Sequence, residues 1–370
     1  SKERSSDPID DGYDRYIGLD HIEPEDLRIR RWGNVADGVT FTSVFKPGQV
    51  LFGKRRAYQR KVAVADFAGV CSGDIYVLES KDLQKLLPEL LPFICQTEAF
   101  FQHAVGTSAG SLSPRTNWTS LADFEFTLPP LEEQRRIADL LIQIDVVTAA
   151  IEDCITSHSM ITDAFIQEEV QRFDTACNHK TAKEIMKNIT VGIVVKPADL
   201  YVEAGHGVLA LRSLNVFPGR FVLNETVEIS HNGHKAHDKS ALKTGDIVVV
   251  RTGRPGDAAV IPPELDGTNC IDLIVAKPGN DIIAQYVVTF LNSQFGRRLF
   301  ASGMTGTAQQ HFNVGEFSKM KLPLPKIEEQ KRFVERLKEI SSPGEKLKER
   351  LKNIGHIRIG VLQNIFAGGE

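Results

Sequence analysis

A chain of 370 residues holds enough material for two or three cores at about 150 residues each. Its 42% hydrophobic and 25% charged residues exclude collagen-like, low-complexity and wholly disordered classes, and a net charge of -4 excludes a uniformly basic nucleic-acid binder of the histone kind. No apolar run nears the roughly 18 residues that span a bilayer, and the charged start SKERSSDPIDD lacks a signal-peptide core, so a soluble, cytoplasmic protein with no membrane partner is expected.

Charge is segregated along the chain. Residues 1 to 26 are strongly acidic, whereas KPGQVLFGKRRAYQRK (46 to 61) carries six cations and no acid. Within it, GQVLFGK (48 to 54) has the spacing of a phosphate-binding loop, but Arg55 stands where a Ser or Thr hydroxyl would reach magnesium, and Val50-Leu51-Phe52 reads as strand. GDIYVLES (73 to 80) also reads as a strand, and 83 to 104 as helix. Asp74, Glu79 and Lys81 have the residue types of a magnesium nuclease, although a strand ending in a solvated turn is the blander reading. The cysteines Cys71, Cys95, Cys154, Cys177 and Cys270 are scattered and form no C-x-x-C pair, so reduced thiols are expected rather than disulfides or a zinc site.

After LPPLEEQRR (128 to 136) the pattern changes period. Pro stops a strand, Glu132 and Glu133 suit a helix N-terminus, and Ile137, Ile144, Ile151 and Phe165 recur at one heptad position. Leu141 and Ile155, with neighbouring Leu140, Val147 and Ile161, fill the other, which predicts a spacer helix over 131–175. Further on, His231, His234 and His237 are spaced at threes, but Asn232-Gly233 favours a turn over a metal-binding helix. GDIVVVRTG (245 to 253) reads as strand and 282 to 301 as helix. A second heptad run, Phe333, Leu337, Ile340, Leu347, Leu351, Ile354, Val361 and Ile365, predicts a helix over 326–370 that Ser341-Ser342-Pro343-Gly344 must kink or interrupt.

Self-similarity organises these elements. LPPLEEQRR returns as LPKIEEQKR (324 to 332), so Leu128, Pro129, Glu132, Glu133, Gln134 and Arg136 recur 196 residues later. Upstream, Gly48 aligns with Gly245, Cys71 with Cys270, Gly106-Thr107 with Gly306-Thr307, and Asn117 with Asn313. The reading is a mixed α/β (α+β) chain with an internal pseudo-twofold repeat. It has two similar globular domains, 1–130 and 176–325, each followed by one of two long antiparallel coiled-coil helices. At about 1.5 Å per residue a 40-residue helix would be about 60 Å long, which suits a spacer. No G-x-G-x-x-G after a strand, no G-x-S-x-G elbow and no Asn-Pro-Pro-aromatic tetrapeptide is present.

This arrangement, with the Leu-Pro-Pro-Leu-Glu-Glu-Gln-Arg-Arg-Ile junction and its LPLPKIEEQKRF partner, resembles the specificity subunit of type I restriction-modification enzymes over nearly the whole chain. The resemblance implies two target recognition domains that each read half of a split double-stranded DNA site. It also implies helices that fix the gap and dock two methyltransferase (modification) subunits, with restriction/translocase subunits joining the full complex. The chain would then be non-catalytic and bind no cofactor directly, S-adenosylmethionine, Mg2+ and ATP belonging to partners. The recognition chain of a fused type II restriction-and-modification enzyme shares the pattern, and a magnesium-dependent nuclease or a purely structural coiled-coil adaptor stand as alternatives from other classes. One departure concerns the first domain: YIGLDHI (16 to 22) corresponds to VLALRSL (208 to 214), so about thirty residues ahead of the latter have only a short acidic counterpart.

DNA affinity comes largely from phosphate neutralisation, and bases are read by Arg, Asn and Gln with fixed donor geometry. The expected reading residues in the first domain are Lys54, Arg55, Arg56, Tyr58, Gln59, Arg60 and Lys61, with Ser108, Ser111 and Arg115 in GTSAGSLSPR. In the second they are Arg251, Thr252 and Arg254 in RTGRPG, with Thr305, Thr307, Gln309, Gln310 and His311 in TGTAQQHFN. Residues shared by both copies, such as Asn117 and Asn313, are expected to hold the loops, and residues that differ to discriminate bases.

Overall fold

The computed structural model describes residues 1–303 and 312–364. They form two compact units. Unit 1 comprises Ser1–Asp153 with Leu347–Glu370, and unit 2 comprises Cys154–Lys346, so unit 2 is nested within the sequence of unit 1.

In unit 1, strands β1 (Arg15–Ile17), β2 (Ser43–Phe45), β3 (Val50–Gly53), β4 (Val62–Val64), β5 (Gly69–Cys71) and β6 (Ile75–Leu78) build two small sheets. One contains β1 parallel to β5, with β2 antiparallel on the far side of β5; the other has the antiparallel order β4-β3-β6. All four residues of β3 are buried, which its unbroken apolar run requires of a strand covered on both faces. The predicted helix at 83 to 104 is instead two short ones, α1 (Leu91–Ile94) and α2 (Glu98–Gly106), because proline fits only the first turn of a helix and Pro88 and Pro92 therefore delay its start. A hairpin of β7 (Ser108–Ala109) and β8 (Arg115–Thr116) leads into α3 (Trp118–Ala122) and the long α4 (Leu131–Ala176, 46 residues).

Unit 2 repeats the plan. Its main strands are β9 (His179–Thr181), β10 (Met186–Val191), β11 (Val208–Leu211), β12 (Val227–Ile229), β13 (Ile247–Val250), β14 (Ala258–Val260), β15 (Asn269–Cys270), β16 (Leu273–Pro278) and β17 (Lys321–Pro323), with three two-residue strands besides. β11 runs parallel to β15 as β1 does to β5, and β14-β13-β16 matches β4-β3-β6 in order and register. Gly48 and Gly245 both adopt positive φ, at 86° and 88°, in the turn before the matching strands. Helices α5 (Ala182–Ile185), α6 (His231–Ala236), α7 (Ala284–Asn292), α8 (Gln294–Gly303) and α9 (Val314–Lys319) precede α10 (Ile327–Asn364).

The copies differ at one sheet edge. In unit 2, β10 pairs antiparallel with β16, placing Thr190 opposite Val275. Among the described residues β6 has no such strand beside it.

Each unit is closed by parts of both long helices. In unit 1, Ala138, Leu141 and Ile144 of α4 pack with Leu362, Ile354 and Val361 of α10 and with Leu90, Phe93 and Ile94 of the globule. In unit 2, Val170 and Phe173 of α4 meet Phe333 of α10 and Tyr286 of α7, with ring centroids 5.7 to 5.9 Å apart in edge-to-face arrangement. Within unit 2 the two helices run antiparallel, since Arg172 approaches Glu329 while Phe165, two turns earlier, stacks on Phe333, one turn later; in unit 1 Asp145 of α4 pairs with Arg358 of α10.

Three expectations need correction. Of the kink or interruption expected at Ser341-Ser342-Pro343-Gly344, the interruption does not occur: α10 runs through Pro343, which removes one N–H from the ladder. Gly344 is buried there, and a Cβ would lie 2.6 Å from His158 Nδ1. Leu140, Val147 and Ile161 are exposed rather than in the seam, because a helix of 3.6 residues per turn drifts off a strict heptad. His231 and His234 lie on the short helix α6 rather than in a turn, since Ser230 caps it by accepting from Gly233 N. Ile365 of the second heptad run lies outside the described residues.

Candidate nucleic-acid interface

In unit 1 the chain leaves β3 at Gly53, makes a left-handed step at Arg56 (φ 53°), one turn of 3-10 helix at Ala57–Gln59, a second left-handed step at Arg60 (φ 55°), and returns along β4. The hairpin β7–β8 packs alongside this turn. Arg56 N donates to Pro114 O at 2.7 Å, Thr116 N to Lys54 O at 3.1 Å, and Arg55 and Arg115 form a backbone bridge. Two segments some 60 residues apart in sequence, both expected to read DNA, therefore form one surface.

The side chains on it divide into held and open. Arg55 pairs with Asp74 at 3.2 Å and donates to Ser113 Oγ at 3.0 Å, Arg56 donates to the same hydroxyl at 3.2 Å, and Arg115 Nε pairs with Asp74 at 2.9 Å. Lys54 Nζ stands 4.5 Å from the centre of the Tyr76 ring, and burial pushes its ammonium below the usual range. Tyr58, Ser111, Leu112 and Trp118 are exposed, Leu112 at 89% on the hairpin tip. Ser108 and Gln59 are half-buried, Ser108 Oγ donating to Ala104 O at 2.7 Å. Arg60 faces Glu98 and stacks 5.0 Å from the centre of Phe101, and Lys61 donates to the Leu19 carbonyl at 2.5 Å, so these two cations brace the turn from behind.

Unit 2 uses the same place differently. Arg251, 9% exposed, pairs with Asp272 at 2.7 Å and donates through Nε to Phe312 O at 3.3 Å, while Thr252 Oγ1 donates to Asp272 at 3.2 Å. Arg254 lies 3.9 Å from the centre of Phe217, donates to the carbonyls of Ser213 and Val216, and pairs with Asp257 at 3.3 Å. Gly253 and Gly256, both at positive φ, give the turn its tight shape. Thr305, Thr307, Gln309, Gln310 and His311 lie outside the described residues.

The shared asparagines have matching roles. Asn117 Oδ1 accepts from Ser120 N at 2.8 Å and caps α3, and Asn313 Oδ1 accepts from Glu316 N at 2.9 Å and caps α9. Sequence reasoning missed Ser113 and Asp272, and weighed Asp74 only as a nuclease carboxylate or, preferred, as part of a solvated turn. The repeat carried a signal for both acids, since Asp74 follows Cys71 and Asp272 follows Cys270 at nearly the same spacing. In the structure both oxygens of Asp74 are engaged by arginines and Glu79 accepts from Gln49 at 2.6 Å. Among the described residues, no group of three or more His, Cys, Asp and Glu side chains is placed to hold a metal ion, and no helix is long and apolar enough to cross a membrane.

The chain matches the family model described as type I restriction modification DNA specificity domain over residues 38–157 and 215–354. It is similar to the type I restriction enzyme EcoDI specificity subunit of Escherichia coli, 27% identical over 166 residues, which are 43% of this chain and 36% of that protein. It is also similar to the MjaVIII specificity subunit of Methanocaldococcus jannaschii, 24% identical over 298 residues, or 74% of this chain and 68% of that one. The matched region thus spans about a third of the first relative and two thirds of the second. Among solved structures, a chain of a type I R-M system superposes with a TM-score of 0.63 at 16% identity, covering 100% of this chain and 95% of that one. The type I S subunit of M. genitalium gives 0.59 at 14% identity, covering 99% and 92%. These likenesses extend the shared fold over both units.

Proposed function

Because the chain belongs to the family of type I restriction modification DNA specificity domains, we propose that it is the sequence-reading subunit of a type I restriction-modification complex, each unit reading one half of a split double-stranded DNA target. The observation that carries this reading is the convergence of the 54–61 turn and the 108–116 hairpin in unit 1 on one surface, with Arg55, Arg56 and Arg115 at its centre. Base discrimination needs side chains held in fixed geometry, which paired arginines on a hydrogen-bonded turn supply and a freely solvated cationic loop does not. The acidic net charge suits a subunit that reaches full DNA affinity only with basic partners.

The long helices α4 and α10 would set the gap between half-sites and dock two methyltransferase subunits, with restriction/translocase subunits completing the assembly in the cytoplasm. The chain itself would be non-catalytic, and S-adenosylmethionine, Mg2+ and ATP would be bound by partners.

The test is methylated-base mapping on a random DNA library with the chain assembled with its modification subunits. A split motif is expected. Exchanging Arg55 and Arg115 together for Ala should relax one half of it and leave the other intact. A complex that methylates without sequence preference, or a double variant with an unchanged motif, overturns the reading.

A further inference from the structure

Asp74 and Asp272 hold the same position in the two units, each on the turn that enters the strand pairing with the loop-bearing strand: Asp74 before β6, Asp272 before β16. Each binds its reading turn through both carboxylate oxygens. Asp74 Oδ2 takes Arg55 Nη1 at 3.2 Å and Oδ1 takes Arg115 Nε at 2.9 Å, so one carboxylate joins residues from two segments. Asp272 Oδ1 takes Arg251 Nη1 at 2.7 Å and Oδ2 takes Thr252 Oγ1 at 3.2 Å.

One of two backbone ties recurs. Lys54 N donates to Asp74 O at 2.9 Å and Lys54 O accepts from Thr116 N; at the matching place Arg251 O accepts from Phe312 N at 3.1 Å. Asp272 sits at φ 52°, a conformation rare outside glycine, which Asp tolerates better than most residues. The partners differ between units, two arginines in one against an arginine and a threonine in the other, while the acid is kept.

We propose that Asp74 and Asp272 are positioning residues for DNA reading, Asp74 aligning the 54–61 turn with the 108–116 hairpin and Asp272 fixing the Arg251-Thr252 turn, neither contacting DNA. This rests on the DNA-reading function proposed above. A carboxylate in a cationic surface repels phosphate, so as a plain surface charge it opposes DNA binding; as a clamp it trades non-specific affinity for fixed donor geometry. The two roles give opposite signatures when the charge is removed at constant shape.

The experiment uses the chain assembled with its modification subunits, as wild type and as Asp74→Asn, Asp272→Asn and Asp74→Glu. Each Asn variant should bind non-specific DNA more tightly while losing roughly tenfold or more in discrimination at one half-site, a different half for each. Asp74→Glu, which keeps the charge, should recover part of that loss. Unchanged discrimination in both Asn variants, or equal relaxation of both halves by either one, overturns the proposal. Amide exchange without DNA supplies a second measurement: Asp74→Asn should speed exchange in 54–61 and 106–116 but not in β3, and unchanged loop exchange overturns the clamp. Should the wild-type complex show no split preference, the DNA-reading function fails and this role with it, whereas a failure of the clamp alone leaves the split motif intact.

Discussion

Gln134 and Gln330 do the same work in the two junctions. Each is fully buried, accepts a backbone N–H through Oε1 (Leu87 at 3.0 Å, Ile283 at 2.9 Å) and donates through Nε2 to two carbonyls, Lys85 and Pro129 in one unit and Asp281 and Pro325 in the other. The amide fixes the point where a long helix leaves its globule. Replacing either by Ala removes three hydrogen bonds at a part-buried junction and should cost roughly 1–3 kcal/mol, seen as a lowered melting temperature confined to its own unit. The motif is legible as a repeat, but its two glutamates stand out first, through the helix dipole; Glu133 in fact pairs with Arg136 on the surface, and the carbonyls that Gln134 meets are invisible without the fold. Asp26 offers a pH handle. Burial pushes its carboxyl up, but hydrogen bonds from Arg28 and Arg30 outweigh this and hold it below the ordinary carboxylate range. A lowered folded value stabilises above the unfolded value, near about 4, and that stability is lost as pH falls through the folded value. Asp26→Asn should therefore flatten the fall in unit 1 melting temperature below about pH 4. Thiols follow burial in the same way. Cys71 and Cys95 are both pushed up to about 12 by burial and Cys270 is pushed up as well, whereas Cys154 is exposed. Iodoacetamide should label Cys154 in the native protein and spare the other three, as peptide mass mapping would show.

Helices expose how much a pattern tells. Both long helices are legible because strong heptads succeed a Pro-bearing junction, where α4 starts at Leu131 and α10 at Ile327. Their solvent face is not legible: Leu140, Val147 and Ile161 count as apolar in any pattern, yet they are exposed. Pro343 misleads because propensity weighs a residue alone, while the surrounding turns of α10 carry the helix through it. Replacing Pro343 by Ala should then stabilise unit 2 by up to about 3 kcal/mol, measured by chemical denaturation, since it restores a hydrogen bond without altering packing. The capping asparagines give a smaller, symmetric effect. Asn117→Ala and Asn313→Ala should each cost about 1 kcal/mol in their own unit.

Two units with one plan are readable from spaced repeats because loop insertions shift an alignment by only a few residues without erasing it. The pairing of distant segments is not, since nothing local marks Arg55 as a neighbour of Arg115. Nor does local pattern reveal that unit 1 is built from both ends of the chain. Arg358 pairs with Asp145 at 2.8 Å and also reaches Gln96, and Leu362 is buried with Leu141. Truncation after Lys346 should thus loosen Ala138–Ile144 and lower the melting of unit 1 while sparing unit 2, which amide exchange would resolve. The nesting also bears on inheritance. Unit 2 is contiguous from Cys154 to Lys346, so two genetic crossovers, one in each long helix, would transplant it with its own core into another chain of this kind. Because both joints fall within helices, where successive turns keep their register across a homologous splice, new combinations of units can arise by recombination without a new fold having to evolve.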